Sequence, residues 1–497
     1  MVKKVLIANR GEIVLRVART CAKLGLEPCG IYSDADADSL HIKFCREVVK
    51  IGGRLPSESY LRMDKVIEAA KRLGCDLIHP GYGFLAESLE FSELCAKEGF
   101  IFIGPSPAAL KLSGDKAKAR EVASEIASIL QGKEVSTESE ALSVAREIGY
   151  PVILKAVKGG GGRGLRIVRS PDELNQAFTS SKNEAMMSFG SSRLYIEKYL
   201  ENPRHIEVQI LGDNSKVIHL GERECSIQRR HQKLIEETPS IALTNDLRQK
   251  ITSTAIKIMK KMHYNNAGTV EFLFKDDSFY FMEVNSRIQV EHPITEQVTG
   301  IDIVEQQLRI ATGEGLQIEQ EAIKSRGHAI ECRINAEHPT SFVPYSGTVT
   351  KFLPPEGKDI RIDTALYSGY LIPPFYDSLV AKLICYSDNR SKAIEKMKES
   401  LITFRISGIP TTIPFHISAL NDERFVKGNY DTSFADELKP FSSRDGEIAA
   451  AIFSQLPKKM IQFLTREDAV DHWMRSRFDR IQSFEVQQDN LQSKWFK

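Results

Sequence analysis

Gly268-Thr269-Val270-Glu271-Phe272-Leu273-Phe274-Lys275 and Phe279-Tyr280-Phe281-Met282-Glu283-Val284-Asn285 are two apolar, aromatic-rich runs separated by Asp276-Asp277-Ser278. Their composition and the small polar break between them read as two strands of a hairpin. With a three-residue loop, Glu271 stands directly across the pair from Glu283, and Asn285 lies two residues further on the same side. A two-residue loop would put the two acids on opposite faces. Carboxylates opposed among Phe272, Phe274 and Phe281 repel each other. The arrangement makes sense with a hard cation between them, bridging to phosphate oxygens as magnesium does. The chain continues Ser286-Arg287-Ile288-Gln289-Val290-Glu291-His292-Pro293. Beside a metal, Arg287 could hold an anionic substrate bidentately and Glu291 could act as general base. His292, before a proline, reads as structural.

Upstream, strand and helix patterns alternate. Residues 3–8 read as a buried strand, followed by a helix with Ile13, Val14, Val17, Ala18, Cys21 and Leu24 on one face. Further strands are expected at Cys29–Tyr32, Asp76–His79 and Phe100–Gly104, with helices at Leu61–Leu73 and Glu87–Lys97 between them. That alternation implies a doubly wound parallel sheet over about the first 110 residues. Beyond Arg193 the pattern turns to α+β with longer strands, such as His205–Leu211 and Val217–Gly221. Short strands with Pro/Gly turns dominate Phe342–Ile384, and a polar helical segment closes the chain. The fold class is therefore α/β and α+β, in several domains, as 497 residues require.

Lys158-Gly159-Gly160-Gly161-Gly162-Arg163-Gly164 follows the strand ending at Lys155. Adjacent glycines let backbone N–H groups approach an anion, so the run reads as a flap over a triphosphate; a flexible linker is the alternative. It is not a P-loop, because no G-x(4)-G-K-[S/T] occurs. Pro80-Gly81-Tyr82-Gly83-Phe84 sits at the carboxyl end of a strand, where a doubly wound sheet places ligands. Glu222 to Lys233 carries five cations in its last eleven residues and lacks helical amphipathicity, so it reads as a charged cleft wall or a solvated surface. Arg333, inward on the strand Ala329–Asn335, needs a partner: a substrate anion or a structural carboxylate.

Sixty-seven basic against 66 acidic residues leave a formal charge of +1, without the basic excess of a nucleic-acid binder. The apolar run near Met1 stops after Ala8, too short for a signal peptide. No stretch reaches the ~18 apolar residues of a membrane span. A cytoplasmic protein is expected, binding neither nucleic acid nor membrane. Its eight scattered cysteines, with no C-x-x-C pair, read as free, mostly buried thiols. No zinc-ligand spacing is present.

The runs Ile7–Ile13, His79–Leu85, Gln228–Lys233, Glu283–His292 and Glu331–Glu337 together resemble biotin carboxylases of the ATP-grasp superfamily, in the family's order, over residues 1 to about 440. The resemblance implies an N-terminal doubly wound domain (1–113), an ATP-grasp domain (114–327) with a mobile lid over about 130–200, and a β-rich C-terminal domain (328–440), followed by a helical tail (441–497) of unassigned role. It implies ATP contacts at Lys116, Lys155, Gly160, Gly161, Gly162, Glu197, Lys198, Leu200, His205, Gln228, His231, Glu271, Leu273 and Glu283. Magnesium or manganese ligands would be Glu271, Glu283 and Asn285. Bicarbonate would meet Lys233, Arg287, Gln289, Val290 and Glu291, with Glu291 as base, and Arg333 would steady carboxyphosphate and the biotin enolate. The tail lacks the β-rich, biotinylated-lysine module of a carrier domain, so biotin is expected on a separate biotin carboxyl carrier protein. A separate carboxyltransferase chain and a homodimer within a larger complex are further expected. Acetyl-CoA or propionyl-CoA carboxylase is the expected assembly; the corresponding subunit of a pyruvate carboxylase, or another ATP-grasp ligase, is the alternative. The chain departs from the family at Ile126–Lys133, which lacks the usual prolines.

Overall fold

The structure is a computed structural model and describes residues 3–157, 165–189 and 192–438, with the side chains of 188 and 189 excepted. Gly160, Gly161 and Gly162, and the helical tail expected over 441–497, lie outside the described residues.

Strands β1 (Lys4–Ile7), β2 (Glu27–Ser33), β3 (Glu47–Gly52), β4 (Leu77–His79) and β5 (Ile101–Phe102) form a parallel sheet ordered β3-β2-β1-β4-β5. It has five strands where the sequence pattern predicts four. The additional strand, β3, is at an edge: Val49 and Ile51 are buried while Glu47 and Lys50 are exposed, so its apolar signal is short. The helix Glu12–Lys23 buries Ile13, Val14, Val17, Ala18 and Cys21 as the 3.6-residue period requires. Strand order reverses between β1 and β4, the switch point at which such sheets open a crevice. Here the Asn9 amide donates to the carbonyls of Pro80 (2.7 Å) and Tyr82 (2.8 Å), joining the loops that follow the two strands. Gly81 has φ 65°, and a Cβ there would lie 2.8 Å from that same amide, so only glycine suits the approach.

A second, smaller sheet contains β6 (Gly132–Val135), β7 (Val152–Ala156), β8 (Arg166–Val168) and β9 (Leu194–Lys198), ordered β6-β9-β7-β8. Helices Glu138–Ile148 and Pro171–Phe189 flank it, the first opened by a Thr137/Glu140 capping box. Val135, Val152, Leu154, Leu174 and Ile196 give this unit its own core.

The remaining strands are β10 (Arg204–Gly212), β11 (Val217–Arg229), β12 (Gln232–Thr238), β13 (Asn266–Lys275), β14 (Ser278–Asn285), β15 (His328–Asn335), β16 (Gly347–Thr348), β17 (Lys351–Leu353), β18 (Ile360–Thr364), β19 (Leu371–Ile372), β20 (Leu379–Ser387) and β21 (Arg405–Ser407). Eight of them make one antiparallel sheet, β14-β13-β10-β11-β12-β15-β20-β18, continuous past residue 328. Alternation sorts its residues by face. Ile206, Val208, Ile210, Val270 and Phe272 pack on Ile251, Ala255, Ile258 and Met259 of the helix Asn245–Lys261. The opposite face of β10 and β13 carries His205, Glu207, Gln209, Thr269 and Glu271, paired in register as Glu207 with Glu271 and Gln209 with Thr269. No helix among the described residues is long and apolar enough to cross a membrane. All eight cysteines are buried free thiols.

Glu237 of β12 clamps the C-terminal helices to the sheet. Its carboxylate meets His328 Nε2 (2.6 Å), Arg390 Nε (2.7 Å) and the Tyr430 hydroxyl. Burial pushes this acid up, but His328 and Arg390 outweigh it and hold the pKa near 2 against an ordinary 4.5. A depressed carboxyl contributes stability above its unfolded value and loses it as pH falls from about 4.5 toward 2. Linkage puts that contribution at up to about 3 kcal/mol. Glu237→Gln should therefore lower stability at pH 7, and its gap from the parent should narrow at pH 3. Urea titrations at the two pH values test this; an equal gap at both would contradict it.

Candidate active site

The β13–β14 hairpin has a two-residue turn, not the three-residue loop its sequence predicts. Asp276 and Asp277 both take positive φ (49° and 55°), and Lys275 pairs with Ser278. That is the mirror-image turn matching strand twist. By itself it would set Glu271 against Met282. A register shift after Phe272–Phe281 inserts one residue, so Glu271 pairs with Glu283 and Thr269 with Asn285. The expected juxtaposition is present, and a bulge produces it rather than the loop length.

Glu271 Oε1 accepts from Asn285 Nδ2 (2.8 Å), Gln289 Nε2 (2.7 Å) and Lys233 Nζ (2.9 Å), while His205 Nε2 lies 3.0 Å from Oε2. Lys233 also donates to Glu207 Oε2 and Glu291 Oε1, both at 2.6 Å, so one ammonium joins three carboxylates. Burial raises the Glu271 and Glu291 carboxyls, but their partners prevail: Lys233 and the His205 ring hold Glu271 well below the usual range, and Lys233, Arg333 and Arg223 do the same for Glu291. Arg333 is placed between Glu236 (Nε, 2.5 Å) and Glu291 (2.9 Å), so two carboxylates of the protein are its partners here. Arg287 donates to Glu87 (3.1 Å) and to Asn285 Oδ1 (3.2 Å). His292 is buried with Nδ1 2.7 Å from the Gln289 carbonyl, in keeping with a structural role.

Two residues essential to this network do not stand out in the sequence. Arg223, with no exposed surface, donates to Glu207 (2.5 Å), Gln209 (2.7 Å), Thr295 (2.9 Å) and Gln289 (2.7 Å). Glu207, equally buried, connects it to Lys233. Glu222–Gln228 is thus the buried part of β11, while Arg230, His231 and Gln232 at the end of the same cluster are exposed. The available signal was the alternation of His205, Glu207 and Gln209 with Ile206, Val208 and Ile210, which gives β10 one polar face.

The expected nucleotide residues divide into groups. Lys116 opens the helix Lys116–Ser124, with Nζ 3.4 Å from Glu283 Oε2. Lys155 of β7 pairs with Glu197 of β9, which Arg120 also reaches at 3.1 Å. Lys198 donates to the carbonyls of Gly149 (3.0 Å) and Tyr150 (2.9 Å), and half-buried Leu200 follows β9. His205 and Leu273 face each other across β10 and β13. Gln228 is buried near the end of β11, and exposed His231 occupies the turn to β12 with φ 64°.

The oxygen donors Glu271, Glu283 and Asn285, arranged across one strand pair, fit a hard divalent cation. His205, Glu207 and Glu271 also offer ligand atoms within 4.8 Å of one another. Lys233 already neutralises two of those acids, so that second set is less suited to a metal.

Family models of the biotin carboxylase N-terminal domain, the carbamoyl-phosphate synthase L chain ATP-binding domain and the biotin carboxylase C-terminal domain match residues 1–110, 115–319 and 331–437. This chain belongs to the biotin carboxylase family. The biotin carboxylase of Nostoc sp. is 50% identical over 441 residues, 88% of this chain and 99% of that one. A pyruvate carboxylase subunit of Methanothermobacter thermautotrophicus is 46% identical over 491 residues, covering 96% and 100%. Among solved biotin carboxylase structures, the domain dimer of Hydrogenobacter thermophilus 2-oxoglutarate carboxylase, with MgADP and bicarbonate, superposes with TM-score 0.86 at 45% identity, over 89% of this chain and 100% of that one.

Proposed function

We propose that the chain is a biotin carboxylase, using ATP and magnesium to carboxylate carrier-bound biotin with bicarbonate. The observation that carries this reading is the convergence of Lys233 and Arg333 on Glu291, beside the oxygen donors Glu271, Glu283 and Asn285. Glu271, Glu283 and Asn285 would hold magnesium, which would supply charge neutralisation at the phosphates of ATP.

Glu291 takes the proton of bicarbonate, and the freed oxygen attacks the γ-phosphorus as the bond to ADP breaks. Carboxyphosphate results. A carboxylate held well below its ordinary range is ionised, as a base must be, but weak. When the substrate anion draws Lys233 and Arg333 toward itself, Glu291 loses part of that stabilisation and its proton affinity rises. Arg287, Gln289 and the Val290 backbone orient bicarbonate, and Lys233 steadies the charge developing at phosphorus. Carboxyphosphate then breaks into CO2 and phosphate, the phosphate takes the N1 proton of biotin, and Arg333 supports the resulting enolate, whose N1 takes up the CO2. Lys116, Lys155, Glu197, Lys198, Leu200, His205, Gln228, His231, Glu271, Leu273 and Glu283, with Gly160, Gly161 and Gly162, form the proposed nucleotide site.

Glu283→Gln should raise the magnesium concentration needed for half-maximal ATP cleavage by roughly tenfold, since a hard-ligand set loses one charge. An unchanged magnesium dependence would remove Glu283 from the metal site.

A separate biotin carrier, a carboxyltransferase chain and a second copy of this chain complete the proposed assembly. For the final acceptor we keep two readings, an acyl-CoA and pyruvate. The match to the pyruvate carboxylase relative, over 96% of the chain, supports the second, and the matches to biotin carboxylases, over 88%, are compatible with either. Reconstitution with the co-purified carrier and carboxyltransferase, offered acetyl-CoA, propionyl-CoA or pyruvate with labelled bicarbonate, separates them.

A further inference from the structure

The motifs Ile7–Ile13 and His79–Leu85 have no part in the reaction just described, yet both reach one buried lysine. Lys382 lies on β20, in register with Arg333 on β15 and Asp363 on β18. It is 0% exposed. Its ammonium pairs with Glu12 Oε1 (2.8 Å), has Asp363 Oδ2 at 3.7 Å, and donates to the Val290 carbonyl at 2.9 Å. Glu12 belongs to the first motif and also accepts from the Tyr82 hydroxyl (2.5 Å) of the second. The Asn9 bonds described above tie those two loops together.

Burying an ammonium is unfavourable unless carboxylates and hydrogen bonds replace its water. Glu12 and Asp363 supply the charge, and the remaining contact is a backbone carbonyl in the middle of the bicarbonate segment. On either side of Val290, Gln289 is bound by Arg223 and Glu271, and Glu291 by Lys233 and Arg333. Lys382 secures the peptide between them from another direction.

We propose that Lys382, held by Glu12, is a positioning residue that fixes the Val290 peptide and thereby aligns Gln289–Glu291 for bicarbonate. This rests on the reading of that segment as the bicarbonate site. The competing role is structural glue between the helix Glu12–Lys23 and β20. Lys382→Met removes the donor but strands Glu12; the double variant Lys382→Met/Glu12→Gln removes both charges, which relieves the buried imbalance. Glue predicts that the double variant recovers both stability and activity. Positioning predicts that it recovers its thermal midpoint while KM for bicarbonate stays about tenfold or more above the parent, with KM for ATP within about twofold.

Lys382→Arg keeps the charge with a different reach, so its bicarbonate KM should rise several-fold but less than with methionine. That variant carries the test if the methionine variants do not fold. A folded variant with the parent's bicarbonate KM overturns the proposal. Failure of the functional reading looks different: the parent chain itself would show no bicarbonate-dependent ATP cleavage.

Discussion

Glu291→Gln should abolish bicarbonate-dependent ATP cleavage while leaving nucleotide binding in place. The amide keeps the shape of the side chain and removes the base, and positioned general bases contribute about 10²–10⁴-fold. The fold should tolerate the change, because each cation that Glu291 meets has another carboxylate: Lys233 keeps Glu207 and Glu271, and Arg333 keeps Glu236. Steady-state phosphate release, paired with a calorimetric ATP titration, separates the outcomes. Joint loss of cleavage and nucleotide binding would mark Glu291 as structural, and retained cleavage would remove it as the base.

The largest stability effect is expected at Arg223. Arg223→Met leaves Glu207 in a dry interior with only Lys233 as counter-charge and strips donors from Gln209, Gln289 and Thr295. Breaking a buried pair from one side costs about 3–5 kcal/mol. Activity should fall with it, because Gln289 loses the guanidinium that holds its amide oxygen. Adding Glu207→Gln should restore part of the stability, a coupling that a double-mutant cycle measures directly. A loss below about 1 kcal/mol for Arg223→Met would contradict the central place given to this guanidinium.

Why the first of these is legible in sequence and the second is not is a matter of register. Glu283, Asn285, Arg287, Gln289 and Glu291 lie within one short stretch, so their chemistry can be read without knowing any strand pairing. Arg223 and Glu207 are sixteen residues apart and meet only because β11 pairs with β10 in a register that shifts between Val208 and Ile210. The same limit applies to the hairpin: Glu271 and Glu283 are paired as expected, but a bulge at Met282, invisible to periodicity, compensates for the shorter turn. Edge strand β3 escapes for a different reason, since Glu47 and Lys50 are exposed and Lys50 breaks its apolar run. Lys382 stands in Leu379–Ser387, a run that otherwise reads as core, and its partners Glu12, Val290 and Asp363 come from three distant segments.

The most direct measurement on the whole account is phosphate release from ATP by the intact chain with magnesium, with bicarbonate and free biotin added separately and together. Biotin carboxylation predicts release that requires bicarbonate, rises further with biotin, and is accompanied by label passing from bicarbonate into carboxybiotin. Release indifferent to bicarbonate, or bicarbonate-dependent release with no biotin-bound label, would contradict it.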